Sequence, residues 1–445
     1  MEKNENINAT IINYGCNAEG VTKINGQTVF VPYSLIGENV EGVIIKANSK
    51  YGIAKITNID NKSAERINPP CPYYTKCGGC QLQHTNYENA LKIKTEIVQN
   101  AITNIGKINY HVPQTIASEN EYHYRNKIAM PINPKTKKLG MYRLGSHNII
   151  DIENCILQKD NITTLIETIN HYLDITKNSI YDEITKKGLL KGIVAREVDD
   201  SIMITIVING DDLSDKDLLT HLLKSKFNNM GLSLNINKLN NNVILTDKFV
   251  NVYGLNSIEK TEFGITYNIN NQSFMQVNDK VKTAMYQKIF EEIKNDIVID
   301  AYSGAGLLSA MISKNCKKVY GIEIVAAATK LANELKQKNK ITNLTNINGD
   351  CANELPKILN KLTGNEKENL TIILDPPRKG CDKKVLDAIL TASPSKIIYM
   401  SCDPSTLARD LNNLLTNGNY KIKFIQPYDM FPQTKHIETL AVLEK

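Results

Sequence analysis

The sequence predicts an α/β protein: a small N-terminal β-barrel, a mixed α+β middle, and a C-terminal doubly wound, mostly parallel sheet. Three observations predict it. Short strands at close spacing fill residues 7–60, a Cys- and Gly-rich loop spans 71–84, and apolar strands alternate with helical stretches from about residue 275 onward. At 445 residues the chain is also too long for one ordinary core.

Ala9–Tyr14, Thr28–Val31, Asn39–Lys46 and Tyr51–Ile59 read as the strands of the barrel, with Gly20, Gly26 and Gly37 between them and Pro69-Pro70 closing the module. A helical stretch follows the loop from Tyr87 to about Ile105. The middle region pairs Tyr124–Pro131 with Leu139–Arg143 as a hairpin around Asn133-Pro134-Lys135, then a helix near 158–175 and strands at Gly192–Val198 and Ile202–Ile208. Ile297–Asp300, Val319–Glu323, Thr371–Asp375, Lys396–Ser401 and Thr439–Leu443 are the strands of the last region, whose rhythm is βαβα. The expected bounds are 1–62, 63–274 and 275–445.

No apolar run approaches the roughly 20 residues of a membrane span, and Met1–Thr10 is polar, so a cytoplasmic protein is expected. The net charge of +6 is mild and does not by itself argue for nucleic acid. An odd number of cysteines, nine, speaks against a disulfide scaffold and for metal binding, catalysis or burial.

After Ile297–Asp300 comes Ala301-Tyr302-Ser303-Gly304-Ala305-Gly306, a strand running into a Gly-x-Gly turn where backbone can approach a ligand. Ser309 stands where a third glycine would complete a dinucleotide fingerprint, which argues against pyrophosphate. Glu323 ends the next strand, where a carboxylate can accept both hydroxyls of a ribose; a solvated strand-end carboxylate is the competing reading. Asp350 follows the third strand and could reach an adenine edge. The set suits S-adenosyl-L-methionine better than a nicotinamide dinucleotide.

Two motifs end later strands. Asp375-Pro376-Pro377-Arg378 is a rigid turn, since two prolines fix φ and remove two donors. Arg378 stands where amino-directed methyltransferases carry a stacking aromatic, which disfavours amino methylation. Ser401-Cys402-Asp403-Pro404 puts a thiol at the sheet edge just before a helix, whose N-terminus favours a thiolate. A strand-end cysteine is otherwise most often buried. His436 and Glu438, in Phe431–Glu438, complete the chemistry. Carbon 5 of uracil becomes nucleophilic only after a thiolate adds at carbon 6, and a base such as Glu438 must then remove the carbon 5 proton. The target nucleotide must be flipped out or single-stranded.

Cys71, Cys77 and Cys80 have the spacing C-x5-C-x2-C, with Gly78-Gly79 letting one loop wrap a metal centre, and Cys155 is the nearest later thiol. Zinc and a cubane iron–sulfur cluster both fit. Between Glu121 and His147 lie Arg125, Lys127, Lys135, Lys137, Lys138 and Arg143, interleaved with Tyr122, Tyr124 and Tyr142, which could meet phosphates and bases or form a solvated hairpin. Residues 1–60 hold five Lys against six acids, so the barrel is not a basic module.

These motifs together, with Gln276-Val277-Asn278, resemble the RNA uracil-5-methyltransferase family, and in particular its 23S rRNA branch with an N-terminal TRAM domain and an iron–sulfur cluster. The resemblance spans nearly the whole chain. It implies an OB-like TRAM barrel, a central RNA-binding and iron–sulfur domain, and a C-terminal Rossmann-like class I methyltransferase domain. It also implies a 4Fe-4S cluster on Cys71, Cys77, Cys80 and Cys155, and S-adenosyl-L-methionine contacts from Gln276, Tyr302, Glu323, Asp350 and Asp375. Cys402 would be the nucleophile and Glu438 the base. RNA is the expected partner, large-subunit rRNA first, with a monomeric enzyme, no protein partner and no membrane. The alternatives are a tRNA T-loop uridine, an RNA-folding factor with weak turnover, and cytosine-5 methylation, which the absence of a Pro-Cys pair disfavours. Asp403, where the family commonly has Asn, adds an anion that would oppose the thiolate.

Overall fold

The structure is a computed structural model that describes residues 1–273, 275–294 and 297–445; the expected boundary residue 274 lies outside the described residues. The chain divides into two compact units: one comprises Met1–Pro70, Cys80–Glu119 and Lys280–Lys445, the other Cys71–Gly79 and Asn120–Asp279.

The first unit opens with a six-stranded sheet in the order Asn6–Thr10, Asn39–Ala47, Tyr51–Asn61, Gln27–Val31, Gly20–Ile24 and Asn13–Tyr14. Its pairings are antiparallel apart from Gln27–Val31 with Tyr51–Asn61, and it buries a small core of Ile7, Ile11, Val29, Val31, Val40, Ile44 and Ala54. Tyr14, Ala18 and Leu35 join a larger core built around the helix Tyr87–Asn100 and the C-terminal sheet. That helix starts where Asn86 accepts a hydrogen bond from the Asn89 N–H at 2.9 Å, an N-cap. Ala90, Leu91, Ile93, Ile97 and Val98 form its buried stripe at helical spacing.

The C-terminal sheet has seven strands, β1 Ile297–Ala301, β2 Lys318–Glu323, β3 Leu344–Asn348, β4 Leu370–Leu374, β5 Lys396–Ser401, β6 Lys421–Tyr428 and β7 Glu438–Glu444. Their order is β3-β2-β1-β4-β5-β7-β6, parallel except for β7, which runs antiparallel to both its neighbours. Every residue of β1, β4 and β5 is buried. Apolar runs without alternation are what a parallel strand covered on both faces requires.

The second unit holds a five-stranded sheet in the order Phe249–Gly254, Met230–Ile236, Ser201–Ile208, Leu190–Val198 and Lys127–Pro131. Helices Asn161–Ile175 and Lys216–Lys224 cover one face with Leu165, Ile169, Leu219 and Leu223. The expected hairpin around Asn133 forms at its turn, where the Asn133 N–H donates to the Lys138 carbonyl and the Lys137 N–H to the Asn133 carbonyl, both at 2.8 Å, while the flanking strands pair elsewhere. Lys127–Pro131 runs antiparallel to Leu190–Val198, Gly140–Tyr142 pairs with Ile149–Asp151, and Ile132 bridges Leu139 beside the turn. The longer strand offers Ile193 and Ala195 as core neighbours for Ile128 and Met130, and this burial decides the pairing of the flanking strand.

Candidate active site

In an open α/β sheet, ligands gather at the carboxyl ends of the strands where the winding reverses, which lies between β1 and β4. After β1, Tyr302, Gly304 and Gly306 all have positive φ, at 69°, 55° and 80°. Gly306 then starts the helix Leu307–Ile312, and a Cβ on it would come within 2.8 Å of the Ala332 Cβ. Only glycine meets both demands. The turn is held by Glu323 at the end of β2: its Oε2 accepts from the Gly304 N–H at 2.9 Å and its Oε1 from the Val325 N–H at 2.7 Å. Ile324 and Val325, beside this carboxylate, are 63% and 54% exposed, an apolar surface suited to a purine ring. Asp350 after β3 caps the helix Cys351–Leu359 by accepting from the Ala352 N–H at 2.9 Å. The hydroxyl of Tyr302 is engaged by the buried thiols of Cys351 and Cys381.

The other half of the edge carries the reacting groups. In the antiparallel pair of β5 and β7, Ser401 stands opposite Thr439. Cys402 directly follows β5 and Glu438 opens β7, so the register delivers both to one end of the sheet. Asp375, after β4, joins them together with Arg378. Cys402 is half-buried and its thiol is pushed up to about 11, first by burial, then by Glu438, with Arg378 pulling the other way and Asp375 adding to the rise. Glu438 is 6% exposed; burial and the charge of Asp375 raise its pKa well above the carboxylate range, against Arg378. Asp375 is raised to about 7 by burial and by Asp300. Asp300 is itself raised to about 7 by burial, although the Ser309 hydroxyl donates to it. Arg378 also lies 3.5 Å from the Nδ1 of His436, whose ring meets Phe431 edge-on at 5.8 Å.

Two expectations change. The thiol of Cys402 is not pulled down but pushed up, by burial and by two carboxylates. Nor is Asp403 the main opponent of a thiolate: its Oδ1 accepts from the N–H groups of Ser405 at 2.9 Å and Thr406 at 3.1 Å, capping the helix Pro404–Asn417.

The sequence reading missed Lys94. It sits on the apolar stripe of the helix Tyr87–Asn100, fully buried. Its Nζ donates to Asp429 Oδ1 at 2.6 Å, to the Phe431 carbonyl at 3.0 Å and to the His436 carbonyl at 2.9 Å. Asp429 is as deeply buried and accepts from the Tyr87 hydroxyl at 2.9 Å on its other oxygen. One ammonium therefore ties both ends of the segment leading into Glu438 to a helix. The signal was present, a lysine at a core position of a helical repeat.

Gln276 belongs to the second unit, where its carbonyl accepts from Asn126 Nδ2 at 3.1 Å. The cysteines of the loop give a mixed result. Burial raises the thiols of Cys77 and Cys155, and Cys71 raises both further, so these three lie within electrostatic reach of one another. Among the described residues, however, no three His, Cys, Asp or Glu side chains are arranged as a metal site. The basic stretch is partly committed to other contacts. Tyr124 is buried, Lys138 pairs with Asp174 at 2.6 Å, and the Tyr142 hydroxyl donates to Glu183 at 2.7 Å.

The family model described as tRNA (Uracil-5-)-methyltransferase matches residues 86–445. The chain belongs to this family. It is similar to an uncharacterized RNA methyltransferase of Clostridium tetani, 38% identical over all of this chain and 97% of the relative. Another, from Listeria innocua, is 37% identical over all of this chain and 98% of the relative. Among solved structures, a Pyrococcus abyssi tRNA (uracil-54, C5)-methyltransferase in complex with S-adenosyl-L-homocysteine superimposes with a TM-score of 0.78 at 23% identity, over 98% of this chain and all of that one. That likeness establishes the fold. Membership makes the chain one of the S-adenosylmethionine-dependent RNA uracil-5-methyltransferases. No described helix is long and apolar enough to cross a membrane.

Proposed function

We propose that the protein methylates carbon 5 of a uridine in RNA through a covalent adduct on Cys402, with Glu438 as the base. The observation that carries this is the β5–β7 register, which sets a thiol and a buried carboxyl side by side at the ligand end of the sheet. The Cys402 thiolate adds to carbon 6 of the uracil, and carbon 5 then takes the methyl group from the sulfonium. The carbon 5 proton passes to the Glu438 carboxylate and the carbon–sulfur bond breaks, returning the thiolate. Both groups must be charged to act, and burial disfavours the charged form of each. Arg378 stabilises each anion, and the sulfonium of the methyl donor adds a second positive charge.

Glu323 supports this reading as the ribose acceptor, and Tyr302, Asp350, Asp375 and Gln276 complete the proposed donor contacts. We assign the target first to 23S rRNA, on the resemblance of the chain's motifs. A tRNA uridine is the second reading, favoured by the target named for the Pyrococcus protein of the same fold. Cys71, Cys77, Cys80 and Cys155 are proposed to hold a 4Fe-4S cluster with no part in the methyl transfer, supported by the mutual influence of three of these thiols. Iron content after anaerobic purification tests this, and zinc in place of iron would overturn it.

RNA containing 5-fluorouridine cannot release its carbon 5 substituent, so with methyl donor it should trap a covalent complex. Cys402→Ala should form none; an adduct that survives in that variant removes Cys402 from the mechanism. Mapping 5-methyluridine in RNA from a deletion strain decides between rRNA and tRNA.

A further inference from the structure

Residues on a strand alternate between faces. In the second unit, Ile128 and Met130 enter the core beneath the helices, so Lys127 points to the opposite face. The antiparallel register sets Arg196 directly across from Lys127, and like charges in that position destabilise a sheet. A third cation adjoins them: the Nε of Arg125 donates to the Lys127 carbonyl at 3.1 Å.

Little offsets this charge. The charges acting on Lys127 are those of Arg196 and Arg125. Arg196 is 4% exposed; one guanidinium nitrogen donates to the Ser273 carbonyl, while its buried Nη1 has no hydrogen-bond partner. Asp279 and Tyr267 act on Arg196 from a distance, and Asp279 is 3.3 Å from Lys260. A buried cation with an unfilled donor is costly unless something completes it. Lys127 and Arg125, both partly accessible, provide the entrance, and Arg196 the floor. Lys138, equally half-buried, has its charge met by Asp174 at 2.6 Å by contrast. Asn126, between Arg125 and Lys127, donates to the carbonyls of Gln276 and Val277, at 3.1 Å each, and fixes the cluster to the segment bearing Gln276.

We infer that Arg125, Lys127 and Arg196 form a preformed site for one phosphodiester group of the substrate RNA's backbone. Guanidinium forks match phosphate oxygens, and the anion relieves the repulsion that the free protein carries. The inference rests on the proposed RNA substrate and not on the chemistry at Cys402.

The test uses the full chain with labelled oligo(U) and oligo(A). Lys127→Met should weaken binding of both several-fold and equally, and reduce the slope of log affinity against log salt by about 0.7, the value for one single-strand phosphate. It should also raise the Tm of the free protein, because a repulsive charge is gone, and leave S-adenosylmethionine affinity unchanged. Lys127→Arg should bind as the wild type does. Unchanged affinity and slope in folded Lys127→Met would sink the proposal, and so would a lowered Tm, which marks a structural lysine. Loss for oligo(U) alone would assign Lys127 to base reading. Stabilisation by inorganic phosphate that is lost in the variant while RNA binding is intact would make the site one for free anions. Cys402→Ala should bind both oligonucleotides normally, so failure of the catalytic reading is seen separately.

Discussion

Behind β2 and β3, the carboxylates of Glu323 and Asp350 accept backbone N–H groups and shape the turns around them, whereas Asp375 and Glu438, at β4 and β7, crowd one another and are driven towards their neutral forms. The two halves of one sheet edge thus use the same chemical group in opposite ways. One half is finished before any ligand arrives. The other is held in an unfavourable charge state that a cation would relieve, and the proposed methyl donor carries that cation. The difference teaches that donor binding and activation of the base can be one event, since a positive sulfonium near Glu438 favours the carboxylate it needs.

The sharpest way to break this comparison is to remove the base. Glu438→Gln keeps the shape but cannot take the carbon 5 proton, so kcat should fall about 10²- to 10⁴-fold. The adduct with normal RNA should now accumulate, because the thiol leaves only after the proton does. Quenched-flow gels read both. A fall in kcat without any adduct would place Glu438 before the addition and dissolve the contrast between the halves.

Lys94 sharpens the comparison next, because it holds only the reacting half. Lys94→Met leaves Asp429 as an unpaired buried charge, and breaking such a pair costs about 3–5 kcal/mol of stability, seen as a lowered denaturation midpoint. In the protein that remains folded, kcat should drop while affinity for S-adenosylmethionine is kept. Equal damage to both would make Lys94 a general core element.

How much of this could be read in the sequence follows from range. The strand ends bearing Tyr302, Glu323, Asp350, Asp375 and Cys402 were legible, because apolar runs and glycine or proline turns are local. The meeting of Cys402 with Glu438 was legible only as chemistry. What enforces it is the insertion of β7 between β5 and β6, a pairing that no local pattern specifies. The hairpin at Asn133 is confined to its turn for the same reason, a distant strand offering the flanking residues more burial. At Cys402 the helix N-terminus is visible in the sequence, and the carboxylates that gather beside the thiol are not.

A pH-dependent effect is expected at Asp300, one strand in from the reacting groups. Its folded pKa of about 7 lies above the roughly 3.9 of an unfolded aspartate. The folded state therefore holds the proton more tightly, and this contribution to stability is full below pH 4 and lost as the pH rises to 7. Asp300→Asn is neutral at every pH and should escape that loss. Its Tm should match the wild type near pH 4, exceed it increasingly towards pH 7, and keep a constant lead above. A lead that is the same at both ends would mean that Asp300 ionises as it does in the unfolded chain, and that its charge already bears on Asp375 well below pH 7.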